Sequence, residues 1–282
     1  MSAPQLLGAW AGHGTGVTVI LPPPGTVASG EVRGGAPATR EFALLEATRL
    51  MDRVDAVVLS GGSAFGLAAG DGVMGLLRER GIGFRTPFGE VPIVVGMSIF
   101  DGSVRTGPPT PENGREAALA AWSGAQFRMG RVGAGAGATT GKWRGRLDPG
   151  GAGWACRSAG SASVAAVVVV NAWGDVLGED GRPLAGGGTD AAPSSAFGLQ
   201  NTTIAVVLTD AELSKVDCYL LAQSGHTGFA RAIHPAHSRY DGDAVVALAT
   251  GAVTEGVNTD LIRAVAAQTM AAAIRAAVAP AA

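Results

Sequence analysis

The chain predicts an α/β fold in which two β-sheets lie between layers of helices, in one domain spanning residues 1–282. Three observations predict it. Short apolar, β-branched runs at 17–21, 54–60, 91–95, 163–171, 204–208 and 244–250 read as strands, and the longest are apolar enough to be covered on both faces. Helix-like stretches stand between them, so helical layers cover the sheets. The 282 residues are 47% apolar, enough for a full core, and the 44 glycines and 15 prolines are scattered without a period instead of gathered into a linker.

In order, residues 17–21 and 54–60 are strands. Gly61-Gly62-Ser63 then leads into a helix-like stretch, 64–80, where Leu67, Met74 and Leu77 stand among small residues that permit close packing. Residues 91–95 are a strand and 114–122 a short helix. The run 163–171 is a strand that Asn171 closes. A Gly/Ser/Ala-rich loop, 186–198, precedes the strand that opens at Thr202. Thr209-Asp210-Ala211-Glu212 fits a capping box, with Thr209 as N-cap and Glu212 at the third helical position, and so predicts a helix over 210–233. Residues 244–250 form a strand and 258–278 an Ala-rich helix. Loops are expected at 22–35, 106–112 and 175–195.

Composition narrows the function classes. A formal charge of -2, no Lys/Arg cluster and 5% aromatic residues offer neither a phosphate-tracking surface nor a base-stacking platform, so no nucleic-acid partner is expected. Cys156 and Cys218 make no disulfide framework, which points to a reducing, cytoplasmic setting. Residues 1–5 lack the features of a secretory signal, 164–170 is too short to span a bilayer, and 261–279 carries Arg263 and Arg275, so no membrane segment is expected.

Several familiar motifs nearly match and fail. A nucleophile elbow centred on Ser63 needs glycine where Phe65 stands, leaving Ser63 to cap a helix or lend a backbone amide to a pocket. A P-loop ending at Gly141-Lys142 has Ala136 for its first glycine and Trp143 for its Ser/Thr. The 133–138 glycine pattern follows no apolar strand, so no dinucleotide is expected. His234 and His237 are separated by Pro235, and His13 and His226 lie far off in sequence. No metal or other cofactor is expected, and no histidine suggests itself as partner to a serine.

Thr202 needs no such partner. If the Asn201–Thr202 bond breaks, Thr202 gains an α-amine that titrates near ~8, and one residue then supplies both nucleophile and base. The plain alternative is a β-branched residue opening a strand. Lys142, after a Gly/Thr loop, suits steadying a hydroxyl or a developing charge, and the Asn171 amide suits an oxyanion. Asp241 and Asp243 share one face if the following strand starts early. Their plain readings are a snorkelling lysine, a turn asparagine and a solvated Asp-Gly-Asp turn.

Together, the segments Leu59 to Leu67, Gly130 to Lys142, Asn201-Thr202-Thr203-Ile204 and Asp241-Gly242-Asp243 resemble, in order and spacing, the L-aminopeptidase/D-esterase family and its nylon-oligomer hydrolase branch. The resemblance implies an αββα sandwich of N-terminal nucleophile type and self-cleavage into 1–201 and 202–282. It further implies catalysis by Thr202 with Lys142, Asn171, Asp241 and Asp243, and a homo-oligomer, expected to be a tetramer. Phe100, Ser63 and Gly62 are the substrate-binding residues it suggests. Phe100 stands where that branch tends to have tyrosine, which puts the substrate in question: 6-aminohexanoate oligomers, or natural α- or β-peptides as small-molecule substrates. An acyltransferase related to the ornithine acetyltransferases and a non-catalytic binding protein remain as alternatives.

Overall fold

Two of the β-branched runs, Val17–Leu21 and Ala162–Asn171, are buried almost throughout because each has a strand on either side and a layer against both faces. The computed structural model describes residues 7–186 and 201–279. Among these residues, ten strands form two five-stranded sheets. The first runs in the order Trp10–Gly14, Val17–Leu21, Ala56–Ser60, Val94–Ser98, Thr39–Arg40, and its one parallel pair is Ala56–Ser60 with Val94–Ser98. The second runs Gly151–Ala159, Ala162–Asn171, Thr202–Ala211, Ala244–Val253, Val27–Val32. There Thr202–Ala211 pairs parallel with Ala244–Val253, and the other pairs are antiparallel.

The alternation of side chains along each strand builds the layers. Ile20, Leu59 and Met97 of the first sheet meet Val167, Ile204, Leu208 and Leu248 of the second in a central core. The outer face of the first sheet packs Val19 and Val58 under the helices Ala69–Glu79 and Pro111–Trp122. The outer face of the second packs Val168 and Val207 under the helices Lys215–Ala232 and Thr259–Val278. The result is the expected αββα sandwich. Thr259–Val278 is long and apolar enough to cross a membrane by composition, but Ile262, Met270 and Ile274 on it are buried against the second sheet.

Local readings needed correction in five places. The Thr209 capping box does not form, because the strand runs on to Ala211 and the Thr209 hydroxyl donates to the Ser163 carbonyl at 2.9 Å. The helix starts at Lys215 behind a true capping box in which Asp217 N–H donates to Ser214 Oγ at 3.1 Å. The expected loop 22–35 contains the edge strand Val27–Val32, whose Ser29, Gly30 and Glu31 dilute the apolar signal. The strand expected at 91–95 lies at Val94–Ser98, since Pro92 cannot donate to a ladder and Gly89–Val91 belongs to a hairpin with Phe84–Thr86. The stretch 64–80 is divided into Ser63–Gly66 and Ala69–Glu79. Of the loop expected at 175–195, Asp175–Val176 pairs with Ile233–His234. Residues 187–195, and all but the first residue of the 186–198 stretch, lie outside the described residues.

Candidate active site

Strand register assembles the site. Thr202 begins the third strand of the second sheet directly opposite Asn171, the last residue of its antiparallel neighbour. On the other side, Asn201 bridges Asp241 just ahead of the Ala244–Val253 strand. Lys142 begins the short Lys142–Arg144 turn, and its Nζ donates to Asn171 Oδ1 at 2.8 Å and to the Asn171 carbonyl at 3.1 Å. Lys142, Asn171, Thr202, Asp241 and Asp243, far apart in the chain, therefore converge on one end of the sheet, all of them buried.

The Asn201–Thr202 peptide is held tightly. Asn201 N–H donates to the Tyr240 carbonyl at 3.1 Å, and Gly242 N–H donates to the Asn201 carbonyl at 2.9 Å. That carbonyl also accepts the Thr202 hydroxyl. The donor on the Asn201 carbonyl is thus Gly242, whereas the Asn171 amide donates to the Phe100 carbonyl at 2.8 Å while its oxygen also accepts Thr139 N–H at 3.0 Å. Only glycine fits at 242, because a Cβ there would stand 2.7 Å from both Thr202 Oγ1 and the Ala36 carbonyl.

The two acids do different work. Asp243 Oδ1 accepts Thr203 N–H at 2.7 Å, and its Oδ2 accepts from the His237 ring at 2.8 Å. Asp241 accepts the Ser238 hydroxyl at 2.5 Å and Ser238 N–H at 3.0 Å. Burial first, and then the Asp243 charge, pushes the Asp241 carboxyl up to about 7. Burial pulls the Lys142 ammonium down to about 7, against the attraction of Asp241 and Asp101. Both groups sit near neutrality, where small changes move a proton.

Three contributors escaped the sequence reading. Gly242 acts through its backbone. Asp101 sits between Gly61 and Gly137, where any side chain would meet its carboxylate, and accepts Gly62 N–H and Ser103 N–H, each at 3.1 Å. Both glycine segments thus close on one carboxylate, and the Ile99-Phe100-Asp101 run was the available signal. His237 corrects the expectation of scattered histidines, because its ring lies 4.9 Å from that of His226 and bonds to Asp243.

The expected substrate-binding residues lie around Asp101. Gly62 supplies the N–H just described, and Phe100 is half-buried and supplies its carbonyl to Asn171. Ser63 neither caps its helix by a side-chain bond nor lends its amide to a pocket, since its N–H donates to the Ile99 carbonyl at 2.9 Å. A cleft of about 440 Å³ opens beside Asp101, lined by Gly102, Ser103, Arg105, Arg131 and Gly137 among others.

The model of peptidase family S58 matches residues 5–282. An uncharacterized aminopeptidase of Mycobacterium leprae is 44% identical over 279 residues, 89% of this chain and 75% of that protein. The 6-aminohexanoate-oligomer endohydrolase of Agromyces sp. is 34% identical over 257 residues, 84% of this chain and 69% of that protein. Among solved structures, a Burkholderia sp. beta-aminopeptidase superposes with TM-score 0.73 at 25% identity, covering 95% of this chain and 83% of that one. The L-aminopeptidase D-Ala-esterase/amidase of Ochrobactrum anthropi, described as a variant of the Ntn hydrolase fold, superposes with TM-score 0.75 over 98% of this chain and 86% of that one. At 19% identity it speaks to the fold alone. With that fold and that family match, the chain belongs to peptidase family S58 and is a hydrolase of amide bonds.

Proposed function

We propose that the protein is an N-terminal-threonine amide hydrolase that first cuts its own Asn201–Thr202 bond and then acts on small peptides or aminoacyl amides. The observation that carries this reading is the Thr202 hydroxyl resting on the Asn201 carbonyl while Gly242 N–H polarises the same oxygen at 2.9 Å. Before cleavage Thr202 has no α-amine, so the first step takes its base from elsewhere. Lys142, near neutrality and bonded to Asn171, the residue that pairs with Thr202, supplies it. Thr202 Oγ adds to the Asn201 carbonyl carbon, its proton passes to Lys142, and Gly242 N–H holds the oxyanion. The C–N bond then breaks, the proton moves to the departing Thr202 nitrogen, and water hydrolyses the resulting ester to the Asn201 carboxylate and a free Thr202. In turnover the new α-amine is the base, and the same hydroxyl attacks the substrate amide.

The relatives named aminopeptidases, 42% to 44% identical, support small peptides as substrates. The 34% endohydrolases support 6-aminohexanoate oligomers as a second reading. Mass spectrometry of the purified protein should find fragments of about 20 and about 8 kDa, the smaller beginning Thr-Thr-Ile. Thr202→Ala should remain whole and inactive, and Thr202→Ser should keep part of both activities. Cleavage of the alanine variant would remove Thr202 from the role. Parallel rates on amino-acid p-nitroanilides and 6-aminohexanoate oligomers decide between the substrates.

A further inference from the structure

His237 is held through its backbone, its ring and both of its ring nitrogens. Its backbone is left-handed, with φ 56°, a region that few residues other than glycine enter. The ring stacks on Phe229 at 5.8 Å and meets the His226 ring nearly edge-on at 4.9 Å. Both of its nitrogens face oxygens: Nδ1 donates to Asp243 Oδ2 at 2.8 Å, and Nε2 lies 3.4 Å from the His226 carbonyl. The His237 backbone N–H adds a second bond to the same Oδ2, at 3.1 Å. The opposite carboxylate oxygen holds Thr203 N–H, one residue beyond Thr202. Asp243 is thereby clamped from both ends inside a buried site.

We propose that His237 is a positioning residue for the Thr202 centre: its imidazole locks the rotation of Asp243, and Asp243 in turn fixes the strand end that carries the Thr202 hydroxyl. The inference rests on the reading of Thr202 as nucleophile. A donor to a buried carboxylate makes one of the stronger hydrogen bonds in a protein, and the left-handed backbone brings both the ring and the N–H of His237 to the same Asp243 oxygen. Without the ring donor, Oδ2 keeps only a backbone N–H and the carboxylate is free to turn, which misplaces the hydroxyl relative to the carbonyl it attacks.

Two variants separate donation from packing. His237→Asn keeps an N–H donor on a side chain that tolerates the left-handed backbone, whereas His237→Phe keeps an aromatic ring against Phe229 without a donor. The asparagine variant should self-cleave and turn over within about threefold of wild type, and the phenylalanine variant should lose about 10- to 100-fold in both self-cleavage rate and kcat with KM unchanged. His237→Gly, which accepts the backbone and removes both ring and donor, should match the phenylalanine variant and replaces it if that chain fails to fold. Equal rates in the asparagine and phenylalanine variants, whether both high or both low, overturn the proposal. Thr202→Ala in the same series separates the two readings: if it is still cut, the nucleophile assignment fails, and if it is inert while every His237 variant is normal, only this proposal does.

Discussion

At Lys142 a buried amine has exchanged hydration for the two oxygens of Asn171, and this sets a pH dependence with a definite sign. Its folded value of about 7 lies below the 10.5 of an exposed lysine, so between those limits the unfolded chain binds the extra proton and stability rises with pH. Lys142→Met should therefore gain most over wild type below pH 7, on the order of 5 kcal/mol before the lost hydrogen bonds are counted, and the gain should fade toward pH 10. Asp241 behaves oppositely: raised from 3.8 to about 7, it makes the folded chain the tighter proton binder between those values, so its contribution to stability falls as pH rises through that window. Asp241→Asn should accordingly gain more at pH 9 than at pH 5. Urea denaturation of both variants at pH 5 and pH 9 checks the crossed pattern, and a parallel response would show that the two groups do not titrate near neutrality. If neutral Lys142 is the base for self-cleavage, the rate of that step should climb between pH 6 and pH 8, and Lys142→Arg, which keeps its proton, should not cleave.

Among the elements, the outer helices lie so close to the sheets that glycines decide where they cross. Gly153 sits under Thr259–Val278, and a Cβ there would come within 2.2 Å of the Ala273 carbonyl and 2.7 Å of Ala277 N, which are backbone atoms that cannot swing aside. Gly153→Ala should cost about 1–3 kcal/mol through overpacking. Gly75, within Ala69–Glu79, has no atom within 4 Å of its missing Cβ, so Gly75→Ala should stabilise by about 0.5–1 kcal/mol through helix propensity alone. Opposite shifts in thermal midpoint from one substitution type test whether the packing is as close as described. The same contrast explains what was legible in the sequence. Central strands such as Ala162–Asn171 announce themselves by unbroken apolar runs, and Thr202, Lys142, Asn171, Asp241 and Asp243 stand out as polar residues beside such runs or in a glycine-rich loop. Trp10–Gly14, Val27–Val32 and Gly151–Ala159 lie at sheet edges, where glycine and polar residues are tolerated, so their periodicity is weak. Gly242 and His237 were hidden for another reason: one acts through a backbone N–H and the other through a fold that brings Phe229 and His226 to its ring.

Over the whole molecule, the strand that begins at Thr202 is paired on both sides, with Ala162–Asn171 and with Ala244–Val253, and it buries Ile204, Val206 and Leu208 between the sheets. A break before Thr202 removes one covalent bond and none of this packing. The two pieces should therefore elute as one particle on size exclusion and part only in denaturant; separate elution without denaturant would contradict the shared core. The same pairing would give the proposed cut a second meaning. The junction takes the described geometry where Thr202–Ala211 has found its register with Ala162–Asn171 and Ala244–Val253 and Gly242 N–H has met the Asn201 carbonyl. If Thr202 is freed by that cleavage, a copy that misfolds would not bring those parts together and would expose no working amine. Under the proposed self-cleavage, activation would be a quality check that each molecule performs on itself, and a cell making this hydrolase would carry active sites only in chains that had already reached the native state.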